Sequence, residues 1–139
     1  MYEILKKRNL ANNIFLMEIY APEVTRNCNP GQFIITRIDE DGERIPLTIC
    51  DYDRQKGTVT IVFQIVGATT IKLAKLNEGD KLKDFVGPLG NATELDGIKK
   101  AAVIGGGVGC AIAYPVAKKL FESGAEVHSI TGFRNKELV

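Results

Sequence analysis

Thr58-Val59-Thr60-Ile61-Val62-Phe63-Gln64-Ile65 is the stretch from which the fold can be read. Val59, Ile61, Phe63 and Ile65 fall on one face, and a period of two marks a strand with one side in a core. The chain then passes through Val66-Gly67-Ala68 into Thr69-Thr70-Ile71-Lys72-Leu73-Ala74-Lys75-Leu76. Leu73 and Leu76 stand three apart among good helix formers, which predicts a helix of about two turns. Thr69 or Thr70 can cap it and Asn77 can end it. A strand feeding a capped helix places backbone N–H groups and two hydroxyls at a helix N-terminus, a setting that suits an anion.

Working outward, further strands are predicted at residues 2–9, 14–20, 32–38, 44–49 and 81–86. The breaks between them carry turn chemistry: Asn12-Asn13, Asn29-Pro30-Gly31, Asp41-Gly42, Gly57 and Glu78-Gly79-Asp80. Six short strands at this spacing point to a small antiparallel barrel. Within the fourth, Arg44-Ile45-Pro46-Leu47-Thr48-Ile49 sets a proline between an arginine and a hydroxyl, so an edge or a ligand-facing kink is expected there. Gly87-Pro88-Leu89-Gly90 forms a rigid turn after the last barrel strand.

The final third changes character. Lys100-Ala101-Ala102-Val103-Ile104 reads as a strand buried on both faces. Gly105-Gly106-Gly107-Val108-Gly109 follows, then a helix over 111–123 ended by Gly124, then a strand over 126–130. This is a βαβ unit, and its boundary with the barrel is expected near Asp96-Gly97. The organisation is thus 1–97 barrel and 98–139 βαβ. A doubly wound nucleotide-binding domain needs more than two strands. Either the polypeptide is a fragment, which is the favoured expectation, or something else completes the sheet.

Between strand and helix, the glycines let backbone amides approach a pyrophosphate at a helix N-terminus. The alternative is a plain tight turn. The G-x-G-x-x-G/A pattern is incomplete, because Cys110 sits where a third small residue is expected. Pro115 is expected in the first turn of the helix, which tolerates it. No acid stands at the C-terminal end of the second strand to hold a ribose 2′-OH, since Glu126 is at the other end. Arg134 suits a 2′-phosphate, which favours NADP slightly over NAD; a solvated surface arginine is the alternative.

The chain's 139 residues, 45% hydrophobic and 25% charged, are ordinary for a globular domain. A net charge of +1 gives no reason to expect nucleic acid as a partner. No apolar run is long enough to cross a bilayer. Met1 leads straight into Tyr2-Glu3-Ile4-Leu5, so a signal peptide is not expected and the cytoplasm is the default. Cys28, Cys50 and Cys110 are too few and too far apart for a disulfide framework, a zinc site or an iron–sulfur cluster, and are expected as free thiols. No metal ligand set is expected. His128, the one histidine, is expected to be structural rather than a proton shuttle. Cys110, at a helix N-terminus, is the better placed of Cys50 and Cys110 to approach a cofactor.

Taken in order, Arg44-x-Pro46-Leu47-Thr48, Val66-Gly67-x-x-Thr70, Gly87-Pro88-Leu89-Gly90 and Gly105-Gly106-Gly107-Val108-Gly109-Cys110-Ala111 resemble the ferredoxin–NADP reductase superfamily. The resemblance covers the whole chain. It is greatest to electron-transfer flavin subunits of the dihydroorotate dehydrogenase, sulfide dehydrogenase and NADH-dependent ferredoxin–NADP reductase (alpha subunit) type. It implies a Greek-key FAD-binding barrel followed by the start of a Rossmann-like NAD(P)-binding domain. Arg44, Pro46, Leu47 and Thr48 would line the flavin, with the Thr48 hydroxyl, the catalytic candidate, near the isoalloxazine ring. Phe63, Gln64 and Ile65 would flank its ribityl and adenylate parts. Gly67, Thr69 and Thr70 would hold the pyrophosphate, and Gly87 would belong to the same site. Gly105, Gly106, Gly107, Val108, Gly109 and Cys110 would meet NAD(P)H, with Arg134 beyond them.

The activity implied is hydride exchange with NAD(P)H at FAD. Electrons would then pass through a [2Fe–2S] centre, not encoded in this chain, to a larger catalytic or flavin/iron–sulfur partner subunit, with ferredoxin as a further partner. Ile45 stands where an aromatic is usual in the flavin motif. Two other classes remain open: a flavin- or nucleotide-binding module without turnover of its own, and a methyltransferase, against which the barrel argues.

Overall fold

The computed structural model describes residues 1–139. The chain runs β1 (Tyr2–Ala11), β2 (Ile14–Tyr20), α1 (Pro22–Thr25), β3 (Phe33–Arg37), β4 (Ile45–Asp53), β5 (Thr58–Gln64), α2 (Ala68–Ala74), β6 (Lys81–Leu82), β7 (Asp84–Leu89), β8 (Lys100–Gly106), α3 (Cys110–Glu122) and β9 (Glu126–Gly132). Alternation in β5 works as the sequence predicts: Val59, Ile61 and Phe63 are buried, and Gln64 is exposed.

The first seven strands form one antiparallel sheet in the order β6-β1-β2-β5-β4-β3-β7. Its two edges are consecutive pieces of one segment. Lys81 and Leu82 pair with β1, and the chain then switches partners at Lys83 to pair Asp84–Leu89 with β3. The Lys83 N–H bridges the change, donating to the carbonyls of Arg37 and Ile38 at 3.0 and 3.1 Å. A single strand over 81–86 with a rigid turn at Gly87–Gly90 was expected. The structure divides the strand because that segment closes the barrel, and it carries β7 on through Leu89, opposite Phe33, so Gly87, Pro88 and Leu89 are strand rather than turn. Both β2–β3 and β5–β6 skip neighbours, which gives a Greek key. Ile4, Met17, Ile19, Ile34, Ile49 and Phe85, with the β5 residues, fill the interior, and Leu73 of α2 joins them.

The βαβ unit has a parallel pair, β8 beside β9, with α3 between them in sequence. Here β8 differs from expectation: Ala102 and Ile104 are exposed rather than buried on both faces, because only α3 covers the two-stranded sheet. Pro115 also lies deeper than expected. It is buried, in the second turn of α3 rather than the first. The short α1 was not anticipated.

Candidate functional site

The β4–β5 ladder pairs Ile49 with Ile61 and continues to Asp53 opposite Thr58, but it does not extend the other way. Residues 45–48 pair only with β3, and residues 62–64 only with β2. The two strands therefore fork, and each presents an unladdered edge to the gap. Antiparallel pairs alternate between hydrogen-bonded and non-hydrogen-bonded types. Ile49 N–H donates to Gln32 O at 3.1 Å, which makes Ile49/Gln32 a hydrogen-bonded pair; by alternation Thr48/Phe33 and Pro46/Ile35 are both non-hydrogen-bonded pairs. Its missing N–H costs no bond to β3. The Thr48 main chain is directed into the fork, where a ligand can use it. Of the two settings expected for Pro46, an edge or a kink facing a ligand, the structure shows a local edge of β4.

The fork opens into a cleft of about 380 Å³. Pro46, Leu47 and Thr48 form one wall with Phe63 and Gln64, and Val108, just before α3, faces them with Ala111 and Ile112 from its first turn. Recesses of about 200 Å³ and 300 Å³ adjoin it, one at Glu43 and residues 66–70, the other at Gly31, Phe33 and residues 46–48. The Phe63 side chain is 2% exposed and stacks on Phe15 in the core, so it offers the cleft backbone rather than a ring. Ile65 packs on the core, and its N–H is taken by Asn13 O.

At the start of α2 the N-cap is Gly67 rather than either threonine. The Thr70 hydroxyl reaches back from the helix, accepting from the N–H groups of Val66 and Gly67 at 2.8 and 3.0 Å and donating to Gly67 O at 2.9 Å. The Thr69 hydroxyl donates to Glu43 at 3.2 Å. What remains for an anion is the first-turn N–H groups of Ala68, Thr69 and Thr70, which have no intrahelical acceptor. Arg44 lies on the neighbouring loop, exposed, with its guanidinium 3.7 Å from Asp84. Gly87 passes over β3 so closely that a Cβ would meet Ile34 Cγ2 at 2.7 Å.

The glycine turn ends β8 at Gly106, makes one 3-10 turn over Gly107–Gly109 and enters α3 at Cys110. A Cβ on Gly105 would lie 2.9 Å from Cys110 Cα. Gly105 thus supplies the close strand–helix approach for which a third small residue was looked for at position 110. Gly107 takes φ +55°, a left-handed value that favours glycine. Gly107, Val108 and Cys110 also line a second, apolar cleft of about 520 Å³ against the barrel, where Cys50 lies too. Gly106 and Gly109 have open space around their Cα atoms.

No family model matches the chain. A structure of the NADH-dependent reduced ferredoxin–NADP oxidoreductase, described for flavin-based electron bifurcation, superposes with a TM-score of 0.96 at 41% identity over 100% of this chain and 51% of its own. A Thermotoga maritima homologue of the dihydroorotate dehydrogenase B (NAD(+)) electron transfer subunit is 42% identical over 97% of this chain and 48% of its own length. The chain belongs to the ferredoxin–NADP reductase superfamily. An uncharacterized protein from the adh 3′ region of Clostridium beijerinckii is 54% identical over the whole chain and 49% of its own. Phthalate dioxygenase reductase shares the fold, with a TM-score of 0.82 at 18% identity. The chain spans about half the length of the curated relatives it matches.

In this superfamily member the cysteines are free. Burial pushes the Cys50 thiol up to about 11, with Asp51 adding to the effect and Lys118 opposing it. Burial raises Cys28 as well. Both stay protonated at neutral pH and are unsuited to thiolate chemistry; Cys110 is the more exposed of the three. Glu126 is engaged by His128 at 2.8 Å and lies near Lys100 at 3.9 Å, at the far end of β9 from the glycine turn. In β9, Thr131 and Gly132 pair in register with Gly105 and Gly106, so Arg134, exposed and without an ion pair, leaves the sheet beside that turn. No helix is long and apolar enough to cross a membrane.

Proposed function

We propose that the chain is the flavin-binding part of an NAD(P)H-dependent electron-transfer oxidoreductase subunit, with FAD in the cleft at the β4–β5 fork. The fork itself carries this reading. It opens unladdered backbone beside Thr48, it continues to the free amides of α2, and the glycine turn faces it across the same cleft. A flavin bound there accepts a hydride from a nicotinamide and passes on single electrons. Pro46, Leu47 and Thr48 would hold its ring edge, with the Thr48 main chain as hydrogen-bond partner. Gln64, and the backbone of Phe63 and Ile65, would line its middle. Residues 67–70 would take the pyrophosphate, with Arg44 swinging from Asp84 to add charge.

Gly105 to Cys110 would meet the nicotinamide nucleotide at a unit bounded near Asp96-Gly97. The names of the relatives carry NAD(+) and NADH, whereas Arg134 suits a 2′-phosphate. An iron–sulfur centre outside this chain, and a larger catalytic subunit with ferredoxin as a further acceptor, would complete the route. The cytoplasm is the compartment proposed.

The test is flavin reconstitution of the 139-residue chain followed by acid extraction and chromatography. FAD retained in stoichiometric amount is expected; retention of FMN alone, or of no flavin, would sink the reading. R44A should weaken FAD retention more than R134A, since a charged hydrogen bond is worth about 1.5–3 kcal/mol. R134A should lower the preference for NADPH over NADH, and an unchanged ratio would assign Arg134 to the solvated surface. Flavin reduction by either nucleotide should be slow in this chain alone. A doubly wound site uses the ends of several strands, and the chain has two.

A further inference from the structure

The two elements that wall the cleft also carry the polar link between the barrel and the βαβ unit. β4 bears Thr48 on the cleft and Asp51 further along; α3 bears Ala111 and Ile112 on the cleft and Lys118 further along. Lys118 Nζ donates to Asp51 Oδ1 at 2.8 Å. No other hydrogen bond or ion pair joins residues 1–94 to residues 99–139.

A β-bulge aims this carboxylate. Ile49 pairs with Ile61 and Asp51 with Thr60, so Cys50 is the extra residue. Ile49 points into the core. In a regular strand Asp51, two residues on, would point there as well; the bulge turns it outward to α3. Asp51 Oδ1 also accepts from the Tyr52 N–H at 2.9 Å, which holds the carboxylate in place. On the helix, the Lys118 ammonium lies 6.0 Å from the Tyr114 ring centroid, and its hydrogen bond to Asp51 raises its pKa.

Around the ion pair α3 also packs on β4, with Pro115 buried, and beyond that contact lies the apolar cleft of about 520 Å³. Apolar contact is non-directional and holds surfaces together without fixing their rotation. A hydrogen-bonded ion pair is directional. We propose that Asp51 and Lys118 are positioning residues whose ion pair sets the angle between β4 and α3, and with it the distance from the glycine turn to Thr48. That the cleft holds a flavin rests on the proposed function; the angle does not. Both side chains are partly exposed, at 31% and 40%, so the pair biases the orientation only a few-fold over the packing around it, and its loss should widen the range of orientations without unfolding either unit.

The test uses residual dipolar couplings of the isotopically labelled 139-residue chain without flavin. In the wild type, amides of β5 and of β8 with α3 should fit one alignment tensor. In D51N and in K118M the two sets should require different tensors, with couplings inside the barrel unchanged, which also reports that the barrel is folded. K118R, which keeps charge and donor, should restore a common tensor. A common tensor in both D51N and K118M overturns the proposal, and so do separate tensors in the wild type or in K118R. FAD binding by the wild type is measured in a separate arm; its failure would count against the proposed function and leave the coupling result standing.

Discussion

The barrel and the βαβ unit are built from the same chemistry and finish in opposite conditions. The barrel closes on itself and encloses a cluster of 16 buried residues. Of the 27 buried residues in the chain, Gly105, Pro115, Leu120 and Ala125 are those beyond Gly97. Ile104 is 71% exposed, Ile130 54% and Phe121 75%. Closure satisfies the edges of a sheet within one segment of chain, whereas a parallel pair has two edges and two faces to cover, and α3 covers part of one. The barrel therefore specifies its own shape, and the βαβ unit takes its position from what it is packed against.

The most forceful way to break this contrast is to empty the barrel. F63A removes a fully buried ring and should destabilise the main unfolding transition by about 3–5 kcal/mol, measured by urea denaturation followed by circular dichroism. L120A should leave that transition in place and loosen amide-exchange protection in α3 alone. Equal effects of the two on the main transition would show that the units unfold as one.

A smaller effect is expected at the strand–helix contact. G105A forces a Cβ against Cys110 Cα, and overpacking of this kind costs about 1–3 kcal/mol. Amide protection should fall in β8 and α3 and hold in β5. Protection lost uniformly would place the glycine's role in the whole fold.

The buried thiols sharpen the contrast through pH. Cys50 titrates near 11 in the folded chain against 9.0 for an unperturbed thiol. Its folded pKa is raised, so its contribution to stability is complete below pH 9 and is lost as pH rises toward 11. C50A should lose less stability than the wild type over that window; parallel profiles would contradict the burial argument. At pH 8, Ellman's reagent should modify Cys110 well before Cys28 or Cys50. The smallest effect is expected for H128A. Its ring is exposed and paired with Glu126, so stability should move by less than about 0.5 kcal/mol.

Local rules made most of the barrel legible. β2 lies where the sequence places it, residue for residue, and β5, read from alternation, differs by its last residue. What escaped was non-local. Nothing near Lys83 announces that the chain changes partners there, because β1 and β3 are set by distant sequence. Pro22 followed by Glu23 is a helix-start signal that could have revealed α1, although four residues give periodicity little to work with. The glycine turn between strand and helix and the edge at Pro46 were legible, but their meeting across one cleft was not. The bulge at Cys50 was equally hidden, since it exists only in the register between β4 and β5.

The segment Lys81–Leu82, Lys83, Asp84–Leu89 has a consequence for how the chain is made. A ribosome delivers β1 to β5 first, and with them two open sheet edges, on β1 and on β3. The β1 edge cannot be covered until Leu82 has cleared the exit tunnel, nor the β3 edge until Leu89 has. During that interval the nascent barrel is a sheet with two exposed hydrogen-bonding edges, the form most prone to pairing with another chain. One short stretch then seals both in succession, so a translational pause before it is the moment at which this protein is most exposed to aggregation.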